Sequence, residues 1–521
     1  MQFKNFLNSD LRYTPIIAAF ILFIFSLFFQ PTHDWDLDSF LYLGSRLQDG
    51  RLIYIDDFET KLPLLQYLFS IPAYFGGIGA WRIISFLTAL SLGFIATQLL
   101  IKDLTFKSKQ LSLKSNHLSI FMTGLFVLFL YSLPGSDSAH IEIFSSSFLY
   151  LSFVLILIGH LDIAHSRWHI FSAGIFLAIA ALMRPNYVYL TPLFAILVFI
   201  KDRQIAAHPL KPFLTLSFLA GFFILILLNF LPYAFLDHGL VALMNGLNAM
   251  KNASNDYGFI HLLSEEFLHK PGIFYILMYV LIGLLLINTS AQSKYKKILL
   301  HYGLPIVAAI LLLNLSLLRS HYYPHNTIMF VPIACIGLSL FFVLKFKNFP
   351  FRVNTFNIII FILIIFVVMR PLADIRKNIL RMADGVYSFS AHINHRNIND
   401  ALLTFLQSQK HQGKSFLVAD SAIYHMKLHE PRLSDGHPIM LEIVLGGGRV
   451  VSMKNIYLFS DEIAKEPCKA LNQSNKDFVI VKRDDQFYGL VDQCLIKDTS
   501  GYKKISIDNL KAFAVYSLKK L

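Results

Sequence analysis

Charge is scarce in this chain. Only 15% of its 521 residues are Asp, Glu, Lys or Arg, against about 25% in an average soluble protein. At the same time 55% are hydrophobic, and the mean hydropathy is +0.55. Those proportions exclude an ordinary soluble globular protein and point to a polytopic membrane protein. Cysteine is scarcer still, and three residues exclude a disulfide-dense scaffold. Cys335 lies in an apolar segment and reads as a small hydrophobic residue. Cys468 and Cys494 fall in a polar C-terminal region, where an oxidising compartment would let them pair. A GxSxG elbow, a kinase motif set, a dinucleotide fingerprint, an internal repeat, a coiled coil and low-complexity tracts are all missing. Acid is the minority sign, with 33 Asp and Glu against 46 Lys and Arg, for a net charge of +13. The excess does not imply nucleic acid, because the basic residues cluster in alternate short loops, as the positive-inside rule requires.

Apolar runs long enough to span, or nearly span, a bilayer fall at about eleven places: near 14–30, 80–101, 118–133, 143–161, 168–183, 185–200, 213–232, 272–289, 298–318, 328–344 and 354–370. The first run, Pro15 to Phe29, lacks a small-x-small cleavage site and reads as a retained transmembrane helix. The segments assigned inside (1–13, 101–117, 160–169, 201–212, 290–297 and 345–353) hold 16 Lys and Arg. The short outside loops (31–63, 133–143, 233–271 and 319–327) hold 6, with 13 acids. The N-terminus is therefore expected in the cytoplasm and the 31–63 loop outside. With an odd number of spans the C-terminal region also lies outside. Composition turns soluble-like from about residue 375. Ser415–Ala419 and Phe478–Lys482 read as buried strands and Asn399–Gln409 as an amphipathic helix. The expected architecture is an α-helical membrane domain over 1–374 and an extracytoplasmic α/β domain over 375–521.

The 31–63 loop is the most informative stretch. It carries seven acids, Asp34, Asp36, Asp38, Asp49, Asp56, Asp57 and Glu59, against Arg46, Arg51 and Lys61. Its pieces run Asp36-Leu-Asp38, Phe40-Leu-Tyr42-Leu-Gly44, Gly50, Tyr54-Ile-Asp56 and Lys61-Leu-Pro63. This order resembles the first external loop of the GT-C integral-membrane glycosyltransferases, in the branch of the protein O-mannosyltransferases and aminoarabinose transferases. The resemblance is best over the first 70 residues and weaker at Glu142, Arg184 and 319–326.

That resemblance implies an inverting glycosyl transfer from a polyprenyl-phosphate-linked sugar to a hydroxyl at the outer face of the membrane. A hydroxyl is a weak nucleophile, and a positioned carboxylate accelerates its attack by about 10²–10⁴-fold. Asp36 or Asp38 fills that role in the family pattern; on their own residues, both also suit the cap of a helix start. Asp56, Asp57 and Tyr54 could orient an acceptor, with the Lys61 ammonium meeting a phosphate; a solvated loop is the plain alternative. Glu142 opens the span after the second external loop, where the family commonly has an acid near the catalytic Asp, and it is expected with Asp36 and Asp38 among the catalytic residues. Arg184, in Met183-Arg184-Pro185-Asn186, is suited to grip phosphate oxygens, or simply to snorkel to the interface. Pro185 disfavours helix at Arg184, so a break is expected there. Arg319 and His321 could reach the phosphate, and Tyr322 or Tyr323 could stack on sugar or isoprenoid. Asp137 and His140 read as surface-loop residues. His425 and His429 have metal-pair spacing without a third ligand, and Gly446 to Gly448 read as a turn.

No cofactor is required. A divalent cation on the acidic loop is compatible with its oxygen ligands, although no metal site is indicated. The expected partners are a polyprenyl-phosphate sugar donor, a lipid or glycan acceptor and the membrane, in a bacterial inner membrane. A transporter or lipid flippase, or a non-catalytic envelope scaffold, are the alternatives. The cysteine reading is checked by peptide mapping of protein matured outside the cytoplasm. A linked Cys468–Cys494 peptide is expected without reductant, and free thiols at both positions would refute the pairing.

Overall fold

In the computed structural model the described residues are 11–29, 35–48, 50–55, 61–75, 77–108, 115–133, 141–158, 163–205, 213–253, 296–317, 328–345, 404–405, 408–409, 416–419, 477–483, 488–496 and 501–519. The expected spans at 272–289 and 354–370, together with Cys468, His425, His429 and Gly446 to Gly448, lie outside them. Each of the other nine expected spans coincides with helix. In chain order the helices are α1 (Thr14–Phe29), α2 (Trp35–Gln48), α3 (Pro63–Phe75), α4 (Gly77–Ser108), α5 (Ser115–Ser132), α6 (Ile141–Leu157) and α7 (Ile163–Met183). A 3₁₀ segment, Pro185–Leu190, leads into α8 (Thr191–Ile205), followed by α9 (Leu214–Ala234), α10 (Gly239–Ala253), α11 (Lys296–Leu317) and α12 (Val331–Lys345). Proline marks several starts, at Pro15, Pro63, Pro192 and Pro332, in the first turns of α1, α3, α8 and α12. A first-turn N–H has no intrahelical acceptor, so its loss there costs nothing. Among the described residues, Gly79–Lys107 and Leu214–Ala234 are long and apolar enough to cross a bilayer alone, and several shorter apolar helices accompany them.

The chain groups into two compact units. One comprises Met1–Gln30, Trp81–Leu231 and Asn255–Arg376; the other comprises Pro31–Ala80, Pro232–Ser254 and Lys377–Leu521. In the first, α1 packs on α5 and α6 on α7, while α12 lies against α5, α6 and α11. Every residue of α6 except Phe148 is buried. A helix that is apolar all round belongs at the centre of its bundle. The C-terminal carbonyls of α6 need partners because no further helical turn supplies them. Lys201 Nζ donates to Ile158 O at 2.5 Å, and His301 Nε2 lies 3.0 Å from Leu157 O. Beside them Lys107 pairs with Asp103 at 2.9 Å and donates to the Tyr302 hydroxyl at 3.0 Å, and that hydroxyl donates to Asp103. Of the lysines expected on the inner side, Lys201 thus closes a helix end and Lys107 is engaged by side chains.

In the second unit α2 and α3 lie side by side, with Phe40 and Phe69 meeting edge to face at 5.3 Å. A four-stranded sheet, in order β1-β2-β4-β3, contains β1 (Phe416–Ala419), β2 (Phe478–Lys482), β3 (Tyr502–Ile505) and β4 (Phe513–Leu518). The β1–β2 pair is parallel and the other two pairs are antiparallel. The two expected strands are β1 and β2, within one residue. Val479, Ile480 and Val481 of β2 are fully buried, as a central strand with side chains packed on both faces demands. Thr404, Phe405, Ser408 and Gln409, the described part of the expected 399–409 helix, are helical. Helix α13 (Tyr488–Ile496) is tied to the sheet by Lys504, which donates to Asp492 at 2.7 Å and to the Tyr488 hydroxyl at 2.9 Å. Burial alone would raise the Asp492 carboxyl, but hydrogen bonds from Lys504 and Tyr516 outweigh it and hold the group below its ordinary range. Cys494 on α13 is disulfide-bonded, and Cys335 is a buried free thiol.

Gly44 sets the α2–α3 approach. A Cβ there would lie 2.3 Å from the Phe69 carbonyl carbon and 2.6 Å from Ser70 N, both backbone atoms that cannot rotate away. Gly44→Ala is expected to cost about 1–3 kcal/mol through overpacking. Thermal unfolding in detergent checks this; an unchanged midpoint would refute so close a contact.

Candidate active site

Helix α7 ends at Met183, and Arg184 takes an extended conformation (φ −137°, ψ 96°) before the 3₁₀ segment. This is the break that Pro185 imposes on its predecessor. The turn remains closed by backbone bonds: Arg184 N donates to Ala180 O at 2.8 Å, and Tyr187 N to Arg184 O at 3.0 Å. Side chains then fix the 3₁₀ segment to two helices. The Tyr187 hydroxyl and Ser146 Oγ of α6 are 2.8 Å apart, and Ser146 lies 3.3 Å from Ile328 O. Asn186 Nδ2 approaches Ser316 Oγ of α11 at 3.4 Å.

Arg184 meets Glu142 in this setting. Its Nε lies 3.1 Å from Glu142 Oε1, with the two side chains 10% and 2% exposed. Glu142 stands in the first turn of α6, where the helix dipole favours negative charge. The guanidinium stays protonated at any physiological pH. A charge so far removed from water is tolerable only beside an opposite one, and the break delivers Arg184 to the carboxylate. Two residues chosen separately from the sequence are therefore one ion pair. Tyr187, Ser146, Asn186 and Ser316, which hold its surroundings, were not singled out. The signal was a run of three serines, Ser145 to Ser147, inside an otherwise apolar span. Arg82 was also passed over; it is buried in the same unit and donates to Ser26 O at 3.0 Å.

The first loop is shaped by a neutral clamp. The Gln66 amide of α3, fully buried, donates to Leu43 O at 3.1 Å and Arg51 O at 3.0 Å, and its carbonyl accepts from Ile53 N at 3.0 Å. Tyr233 adds a bond from its hydroxyl to Ile53 O at 2.8 Å. The turn ends at Tyr54, whose φ of +70° is unusual for a residue with a side chain. The Tyr54 hydroxyl donates to Lys61 O. Its ring lies where a Cβ on Gly246 of α10 would stand 2.3 Å away, so only glycine leaves room for it. Tyr54, expected as a substrate contact, here closes the loop and sets the backbone that carries Lys61. Asp36 and Asp38 sit in the first turn of α2, and Arg46, further along that helix, is buried. Asp56, Asp57, Arg319, His321, Tyr322, Tyr323, Asp137 and His140 lie outside the described residues. Among the described residues no group of three or more His, Cys, Asp or Glu side chains is gathered as a metal site.

The architecture is that of a polytopic, mainly helical membrane protein. No protein-family model matches the chain, and no curated protein matches it. Among solved structures it is similar to ArnT from Cupriavidus metallidurans, crystallised bound to undecaprenyl phosphate. The TM-score is 0.50 at 13% identity, and the match covers 97% of each chain. The likeness is one of fold, and it extends over nearly the whole of both chains.

Removing one member of the buried pair strands the other. Arg184→Met is expected to destabilise the protein by about 3–5 kcal/mol, and the double variant Glu142→Gln/Arg184→Met to recover part of that loss. Additive losses in thermal unfolding would show that the two charges are not coupled.

Proposed function

We propose that this protein is a membrane glycosyltransferase that takes a monosaccharide from a polyprenyl-phosphate donor and passes it to an acceptor hydroxyl at the outer face of the cytoplasmic membrane. The observation that carries the reading is the buried Glu142–Arg184 pair at a helix break, in a chain that shares its fold with a protein crystallised with undecaprenyl phosphate. The reaction needs a base for the acceptor and compensation for the charge that develops on the phosphate. Asp36 or Asp38, at the start of α2, is the base. It takes the hydroxyl proton as the oxygen forms its bond to the anomeric carbon and the sugar–phosphate bond breaks. The single displacement inverts that centre, and the donor's phosphodiester leaves as polyprenyl phosphate with one more negative charge. Arg184 is assigned to that phosphate, with Lys61, Arg319 and His321, while Glu142 sets the electrostatics around Arg184. Asp56, Asp57, Tyr54, Tyr322 and Tyr323 are assigned to acceptor or sugar, and the Tyr54 hydroxyl also bonds the Lys61 carbonyl. The N-terminus lies in the cytoplasm and the domain after residue 375 outside it, consistent with where the basic residues fall. The acceptor is a lipid, lipopolysaccharide, surface polysaccharide or protein.

A break in a helix with a buried charge pair is also what a transporter or flippase places in its core. Transfer and transport are separated by lipid mass spectrometry of cells producing the wild type or Asp36→Asn/Asp38→Asn, both inserted at equal levels. Depletion of a polyprenyl-phospho-sugar by the wild type alone is expected, and the mass that disappears identifies the sugar. Identical lipid profiles would overturn the transferase reading.

A further inference from the structure

The Glu142–Arg184 pair raises a question of competition. A guanidinium used for a lipid phosphate is here already engaged by a carboxylate at 3.1 Å. Two anions on one buried cation repel each other strongly where water is excluded, because screening is weak there. The two partners are anchored differently. Arg184 is fixed by its backbone bonds to Ala180 and Tyr187. Glu142 is rooted in the first turn of α6, whose next turn is held by Ser146 to Tyr187 and to Ile328 O. The carboxylate reaches its cation through a flexible side chain, whereas the cation rises from a pinned backbone.

We propose that Glu142 is a built-in competitor for the donor's phosphate: it neutralises Arg184 while the site is empty and gives up the guanidinium when a lipid phosphate arrives. This rests on the transferase reading, and it assigns Glu142 a positioning role rather than proton transfer. The carboxylate acts twice. It keeps Arg184 in place before the donor binds, and it weakens the hold on the phosphate by the free energy of the pair that must be broken. That second effect bears most on the product. Polyprenyl phosphate carries the larger charge and would bind an uncontested arginine tightly, so returning Glu142 to Arg184 favours its release. A linked exchange of this kind is reciprocal: whatever Glu142 subtracts from phosphate binding, phosphate subtracts from the Glu142–Arg184 contact.

The test measures binding of undecaprenyl phosphate to the purified full chain in detergent for the wild type, Glu142→Asp and Glu142→Gln, alongside the thermal shift that the lipid produces. Competition predicts tighter binding by Glu142→Gln, by roughly 5- to 150-fold, the usual span of a coupling between two ligands. Glu142→Asp, which keeps the charge on a shorter arm, should fall between. The lipid should raise the unfolding midpoint of Glu142→Gln more than that of the wild type, because it replaces the missing anion. A purely structural role would lower the lipid-free midpoint without enlarging the lipid-induced shift. If Glu142→Gln cannot be purified without lipid, the Glu142→Asp affinity decides alone. Unchanged or weaker binding by the variants overturns the proposal and leaves the transferase reading standing. No binding by any of the three proteins overturns both.

Discussion

An arginine in the interior of an apolar helical bundle stays ionised, and its charge must be met on the spot. Desolvating it costs several kcal/mol even after relaxation, and only a well-placed anion offsets that. Much of the first unit is arranged around this requirement. Pro185 takes Arg184 out of helical geometry, so the side chain leaves α7 where α6 begins. The helix dipole favours a carboxylate at that first turn, and Glu142 occupies it. The 3₁₀ segment beyond the break has backbone groups that a continuous helix would have satisfied. It recovers part of this through the Arg184 O bond from Tyr187, while side-chain contacts of Tyr187 to Ser146 and of Asn186 to Ser316 tie the segment to its neighbours. The polar residues of this region therefore form a connected group.

The segments around the first loop solve a different problem. Seven acids between residues 31 and 63 repel one another, and three basic residues cannot neutralise them. Folding such a loop around an internal salt bridge would consume the charges that chemistry needs. Gln66 contributes without using charge, binding three backbone groups with a neutral amide. Tyr233 and Tyr54 add neutral hydroxyl bonds to Ile53 and Lys61 carbonyls. These three groups are neutral and do not titrate in the physiological range, so the bonds they make are themselves insensitive to pH there. Gly44, part of the family-like pattern, serves the packing of α2 on α3 rather than the chemistry.

Legibility in the sequence followed the range of the interactions. Long apolar runs declare themselves residue by residue, which is why α1, α4 to α9, α11 and α12 were readable as spans and why the β-branched runs marked β1 and β2. The break at Arg184 was readable because the proline constraint is local. The pairing of Arg184 with Glu142 was not, since it joins residues 42 positions apart in sequence; composition suggested each as functional but not that they meet. β3 escaped notice because Tyr502–Ile505 carries two lysines, and β4 because it has one β-branched residue where β2 has three. Gln66 gave no signal at all. A lone glutamine in an apolar helix looks like a tolerated polar residue until its three backbone partners are known.

The choice of arginine at the break has a consequence for any anion that enters. A lysine there could lose its proton under the same desolvation and leave the site neutral, whereas a guanidinium keeps its charge and requires a partner in every state of the site. A carboxylate supplied by the protein meets that need when no ligand is present. Because the medium is poorly screening, exchanging that carboxylate for a phosphate changes the energy far more than the same exchange would at the surface. In the proposed exchange the displaced carboxylate stays in the protein, so an arriving phosphate adds negative charge to the site and the Glu142 side chain must turn away from Arg184. A site built this way distinguishes lipid phosphates by their charge: a monoanionic diester contends evenly with the carboxylate, and a dianionic monoester contends with the advantage. On the proposed exchange, the position of Glu142 relative to Arg184, 3.1 Å apart, would act on binding and release together.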